Sequence, residues 1–85
     1  MHHAGEVSLR NVILNTTAKA ALASEFLHFH HRYHTVILDV SNTDLTPHGV
    51  LLVLKRIQTM TTLRVLLTEN ITLTREAFFE LQRHR

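Results

Sequence analysis

Eighty-five residues and 9.8 kDa give room for one small domain, and a chain of this size buries only about 60–65% of the surface it exposes when unfolded. Hydrophobic residues make up 45% and charged residues 19%, which excludes a disordered tail, while two glycines and one proline exclude a low-complexity architecture. With no cysteine, neither disulfides nor thiolate metal sites can stiffen it, and nine Lys and Arg against seven acids leave only +2 with His neutral, so no nucleic-acid partner is expected.

Three apolar, β-branched runs read as strands, each followed by a helix, which is the pattern of successive βα units on a parallel sheet. The first strand is predicted at residues 9–14 (LRNVIL), ahead of a helix from Thr17 to His31. On that helix Ala18, Leu22, Phe26, Phe29 and Tyr33 recur at steps of four, four, three and four, and are expected to form its inner face. The second strand is predicted at residues 36–40 (VILDV). Thr46 then offers an N-cap and Pro47 a first helical residue, with Val50, Val53, Leu54 and Ile57 turned inward. The third strand is predicted at residues 63–67 (LRVLL). Its helix begins behind Thr74, with Glu76 in the first turn, Ala77, Phe78 and Leu81 inside, and a frayed end near Arg83. Short connections leave no linker, so the chain is expected to be a single domain over residues 1–85.

Self-comparison adds a repeat. A displacement of 28 places Leu38 on Leu66, Asn42 on Asn70, Leu45 on Leu73, Thr46 on Thr74, Gly49 on Ala77 and Val53 on Leu81. These are the positions a strand–turn–helix unit constrains. Repeat units are expected at residues 35–62 and 63–85, with a degenerate or capping unit at residues 7–34 that has Leu9, Val12 and Leu14 as inward strand residues and no buried leucine in its turn.

The run LDVSNTDLTPHG, continued by VLLVLKRIQTMTTLRVL, resembles a leucine-rich repeat of the ribonuclease-inhibitor-like or cysteine-containing-like type. The resemblance implies an α/β fold, a short solenoid of about three βα units with a parallel sheet. It further implies that Leu38 and Val40 point into the core, that Asn42 or Thr43 closes the turn, and that Gly49 lets the helix approach. The second unit departs from the pattern at Thr68, where a second inward strand residue belongs. The segment VILDVSN, a loop, a helix near a glycine and the strand LRVLLTE also resemble a STAS domain of the anti-sigma-factor antagonist type, with Thr46 near the place of its phosphorylatable serine. That loop is one residue shorter here, and the extra strands of such domains are lacking.

Candidate chemistry is sparse. His28, His30, His31 and His34 cluster in FLHFHHRYH, and His30 and His34 stand one helical turn apart, as zinc ligands do. With no nearby acid or Cys to complete a set, they are expected to be surface residues at a helix C-terminus. Asp39, Asp44 and His48 lack a nucleophile or pocket to work on. No enzyme activity, cofactor or metal is therefore expected.

The expected role is a non-catalytic protein–protein interaction module, a small subunit or scaffold of a larger assembly, with a STAS-like regulatory domain as the alternative. Other protein subunits are expected to dock on the sheet edge or on the concave face. On that face the resemblance places Ile37, Asp39, Ser41, Arg64 and Leu67, joined by Arg10 and Ile13 if the first unit enters the sheet. No run of about 18 apolar residues spans a bilayer, and residues 1–10 lack the apolar segment of a secretory signal. The protein is expected to be intracellular and not secreted. Within the cell it is expected in the cytoplasm or, since Glu6 and Glu25 are the sole acids up to Thr35, in the mitochondrion.

Overall fold

A computed structural model describes residues 5–83 and shows a small α/β fold in which three helices follow three strands. The order is β1 (Glu6–Ser8), α1 (Thr17–His30), β2 (Ile37–Asp39), α2 (Pro47–Ile57), β3 (Val65–Leu67) and α3 (Arg75–Arg83). The strands lie side by side in sequence order and pair in parallel. Their register forms rows: Glu6, Ile37 and Val65, then Val7, Leu38 and Leu66, then Ser8, Asp39 and Leu67. Among the described residues no helix is long and apolar enough to cross a membrane.

Three residues per strand make a short ladder, and the pairing continues past it. The N–H groups of Leu9, Asn11 and Leu14 donate to the carbonyls of Asp39, Ser41 and Thr43, at 2.8, 3.1 and 2.7 Å. One unit further on, Val40 and Asn42 donate to Leu67 and Glu69, each at 2.9 Å. The turn after each strand is therefore a stacked element in its own right.

Asparagine shapes those turns. Asn11, Asn42 and Asn70 occupy the left-handed region at φ 69°, 56° and 57°, where asparagine is tolerated better than β-branched or bulky residues. Their side chains form a directional ladder: Asn42 Nδ2 donates to Asn11 Oδ1 and Asn70 Nδ2 to Asn42 Oδ1, both at 2.7 Å. Thr43 closes the same turn from inside, donating its buried hydroxyl to the Val40 carbonyl at 2.8 Å.

The first strand begins earlier than the sequence predicts. Residues 9–14 form the turn after β1, because the Asn11 backbone is left-handed and cannot continue a strand. Val7 is the inward strand residue, Val12 is exposed, and Leu14 is buried as the turn leucine that the first unit was expected to lack. Val7, Leu9, Asn11 and Leu14 thus match Leu38, Val40, Asn42 and Leu45 at a displacement of 31.

All three helices start at a threonine. Thr16, Thr46 and Thr74 accept from the N–H groups of Lys19, Gly49 and Ala77 at 3.2, 3.0 and 3.1 Å, each meeting one donor the helix leaves unpaired. Val50, Val53, Leu54 and Ile57 of α2 are buried, as their spacing predicts. Gly49 packs closely enough that an added Cβ would lie 3.2 Å from both Ala20 Cβ and Leu45 Cδ2.

The inner face of α1 differs from the expectation. Ala20, Ala23, Ser24 and Leu27 are buried, whereas Leu22 is 70% and Phe29 73% exposed, and Ala18, Phe26 and Tyr33 are exposed too. Small residues let α1 approach its neighbours, and the large apolar ones fall on another side. Phe78 of α3 is likewise exposed, while Ala77 is buried and Leu81 half-buried.

Unit position accounts for the burial pattern. Leu38 and Leu45 of the central unit are buried, whereas their third-unit counterparts Leu66 and Leu73 are half-buried, with no further strand beside them among the described residues. Leu38→Ala should cost about 2–5 kcal/mol and Leu66→Ala about 1–2 kcal/mol, measured by urea unfolding. Asn42→Gly keeps the left-handed backbone but removes the ladder and should cost about 1 kcal/mol. Asn42→Ala strains the backbone as well and should cost about 1–2 kcal/mol more.

Candidate interaction surface

The exposed sheet face is built from residues flanking the inward row. Glu6 and Ser8 project from β1, Ile37 and Asp39 from β2, Val65 and Leu67 from β3. Val65 and Leu67 are exposed and Ile37 is half-buried, so the β3 side of the face is apolar.

A charged clip adjoins it. Arg10, in the turn after β1, reaches across the units, its Nε donating to Asp39 Oδ2 at 2.9 Å and its Nη2 to Glu69 Oε1. Asp39 Oδ1 accepts from the Ser41 N–H at 2.9 Å, and Ser41 Oγ accepts from the Glu69 N–H at 2.9 Å. Burial pushes the Asp39 carboxyl up, but hydrogen bonds from Ser41 and Arg10 outweigh it and hold the group below the usual carboxylate range. The two carboxylates in turn raise the pKa of Arg10, chiefly through the hydrogen bond to Glu69.

Of the residues expected on this face, Arg64 and Leu67 are exposed and Ile37 is half-buried. Asp39 is 7% and Ser41 0% exposed, so these two hold the clip together and present little or nothing to a partner. The expectation of an outward Ser41 is corrected by the turn, which draws its hydroxyl beneath Glu69. Arg10 and Ile13 are both exposed. The sequence reading missed the clip, since Arg10, Asp39 and Glu69 sit 29 and 30 positions apart and meet only through the register.

The histidines diverge. His28 Nδ1 faces Arg32 Nη1 at 3.1 Å and Arg56 Nη1 at 3.0 Å, while the His30 and His31 rings lie 5.2 and 4.8 Å from that of Phe26. Among the described residues no group of three or more His, Cys, Asp or Glu is placed to share a metal ion. Asp44 and His48 are exposed, and Asp39 is engaged by Arg10 and Ser41. Thr46 is half-buried as the cap of α2.

The most exposed apolar surface lies elsewhere than the sequence reading placed it. Leu22, Phe26 and Phe29 line one side of α1, Tyr33 is exposed in the turn beyond it, and Phe78 and Phe79 stand out from α3. Their helical spacing is visible in the sequence, but nothing in it distinguishes an inner from an outer stripe. Comparison with family models, with curated proteins and with solved structures found no significant match.

Because Asp39 titrates lower when folded than the unfolded value of about 3.9, its contribution is complete above that pH and is lost as pH falls through the folded pKa. The urea midpoint should therefore drop between about pH 5 and pH 2, and Asp39→Asn should drop less over the same interval. Asp39→Ala should cost about 1–3 kcal/mol at neutral pH, contrary to the neutral effect an outward side chain implies. An acid limb identical in Asp39→Asn and the parent would contradict this role.

Proposed function

We propose that the chain is a non-catalytic protein–protein interaction module, a short leucine-rich-repeat-like solenoid of about three βα units that serves as a small subunit or scaffold. The sheet is not curled, and at three strands it is narrow. The support comes instead from the repeated turn: left-handed asparagines, an amide ladder, a turn leucine and a capping threonine recur in each of the three units.

One observation carries the functional part: among the described residues, nothing packs on the outer side of the third unit. β3 is an edge strand, and the positions of Leu66, Ile71, Leu73 and Leu81 are half-buried although they pack on the core. Unpaired parallel edges are templates for docking. The polar groups that do converge, Arg10, Asp39, Ser41 and Glu69, satisfy one another and hold the turns together. The STAS alternative has less behind it, because the Thr46 hydroxyl caps α2 and the described residues form a sheet of three strands only.

Hydrogen exchange tests the edge. At low micromolar concentration the N–H groups of Thr68 and Asn70 should exchange quickly, and those of their central-unit counterparts Val40 and Asn42, which donate to Leu67 and Glu69, slowly. Equal protection of the two pairs would mean that the chain covers its own edge, and the module reading would fail.

A further inference from the structure

We propose that a second copy of this chain docks head to tail, its first unit seated on the third unit of the copy before it; the proposal deepens the module reading above and rests on it. The outer sides of β1 and β3, the two edges of the described sheet, are complementary because they are the two sides of one repeating interface.

Backbone groups show this first. Leu9 and Val40 donate to the carbonyls of Asp39 and Leu67, and Asn11 and Asn42 to those of Ser41 and Glu69. The next donors in the series are the N–H groups of Thr68 and Asn70, which have no partner among the described residues. The preceding acceptors are the carbonyls of Ser8 and Arg10, on the open side of β1. The side-chain ladder ends in the same way: Asn70 Oδ1 has no donor and Asn11 Nδ2 no acceptor among the described residues. Setting Asn11 of one copy beyond Asn70 of another joins each free donor to a free acceptor.

Apolar surface follows the same register. Aligning the caps Thr46 and Thr74 places Phe78 on Val50, yet Phe78 is 51% exposed and Val50 3%. Phe78 thus occupies the counterpart of a core position, and nothing among the described residues covers it. At the other end, aligning Thr16 with Thr46 places Leu22 and Phe26 on Leu52 and Arg56. Arg56 reaches back to Ser24, Glu25 and His28 of the preceding helix, so its counterpart Phe26 faces outward past the first unit. Phe26 of one copy and Phe78 of another meet across the junction.

This contact joins two different faces and has no two-fold axis, so copies add in series. Sedimentation velocity over roughly 5–500 µM should show the parent chain growing beyond a dimer. Phe26→Glu blocks the head and Phe78→Glu the tail; both side chains are already exposed, and circular dichroism should show both variants folded. Each alone should remain monomeric, while an equimolar mixture, retaining one good head and one good tail, should form a dimer and stop. A parent that stays monomeric, a dimer that either variant still forms with itself, or a mixture that does not associate would each overturn the proposal. A monomeric parent with rapidly exchanging Thr68 and Asn70 would do so while leaving the module reading intact.

Discussion

Left-handed asparagine in the turn after each strand is the constraint on which the rest of the structure depends. A strand of three residues has too few ladder bonds to fix its own register, so pairing must run on into the turn, and it can do so only if the backbone there keeps a fixed conformation. Asn11, Asn42 and Asn70 meet the backbone requirement and link the units through their side chains. Once that register is set, the inward row of Val7, Leu38 and Leu66 forms, the turn leucines fall beneath it, and each capping threonine is placed to begin a helix.

The same register creates the charged clip. Arg10 meets Asp39 and Glu69 because their turns are stacked, and Ser41 is drawn inside because its N–H donates to Asp39 of the same turn while its hydroxyl accepts from the Glu69 N–H of the neighbouring unit. A buried carboxylate is costly unless hydrogen-bonded and paired, and here it is both. Asp39 therefore belongs to the framework, although it stands at a position where a strand residue faces outward.

Equivalent positions in successive units act as internal controls on burial. Leu38 and Leu66 share a row and a side-chain type, and Leu45 and Leu73 share a turn, yet the central member of each pair is buried and the outer one is not. The difference is the presence of a neighbour. Thr68, the small polar residue among Val40, Leu45, Leu66 and Leu73, leaves the outer unit still less filled. Packing thus loosens toward the edge at which the docking surface is proposed.

Helix and strand order, the parallel arrangement, the start of α2 at Pro47 and the burial of its Val50, Val53, Leu54 and Ile57 were legible in the sequence, because caps and apolar spacing are local signals. A displacement of 28 also pairs Leu38 with Leu66, Asn42 with Asn70 and Thr46 with Thr74 in the sequence, and in the structure these share a row, an amide hydrogen bond and a helix-capping role. The first unit is not legible at that displacement because its own is 31, which conceals the roles of Asn11 and Leu14 and sets β1 three residues ahead of the predicted start. Tertiary structure alone decided the orientation of α1, which carries one stripe of Ala20, Ala23, Ser24 and Leu27 and another of Leu22, Phe26 and Phe29. Helical spacing recognises both stripes, and hydrophobicity favours the larger side chains. What selects between them is the close approach of α1 to α2, where Gly49 lies against Ala20 and leaves no room for a larger side chain at position 20.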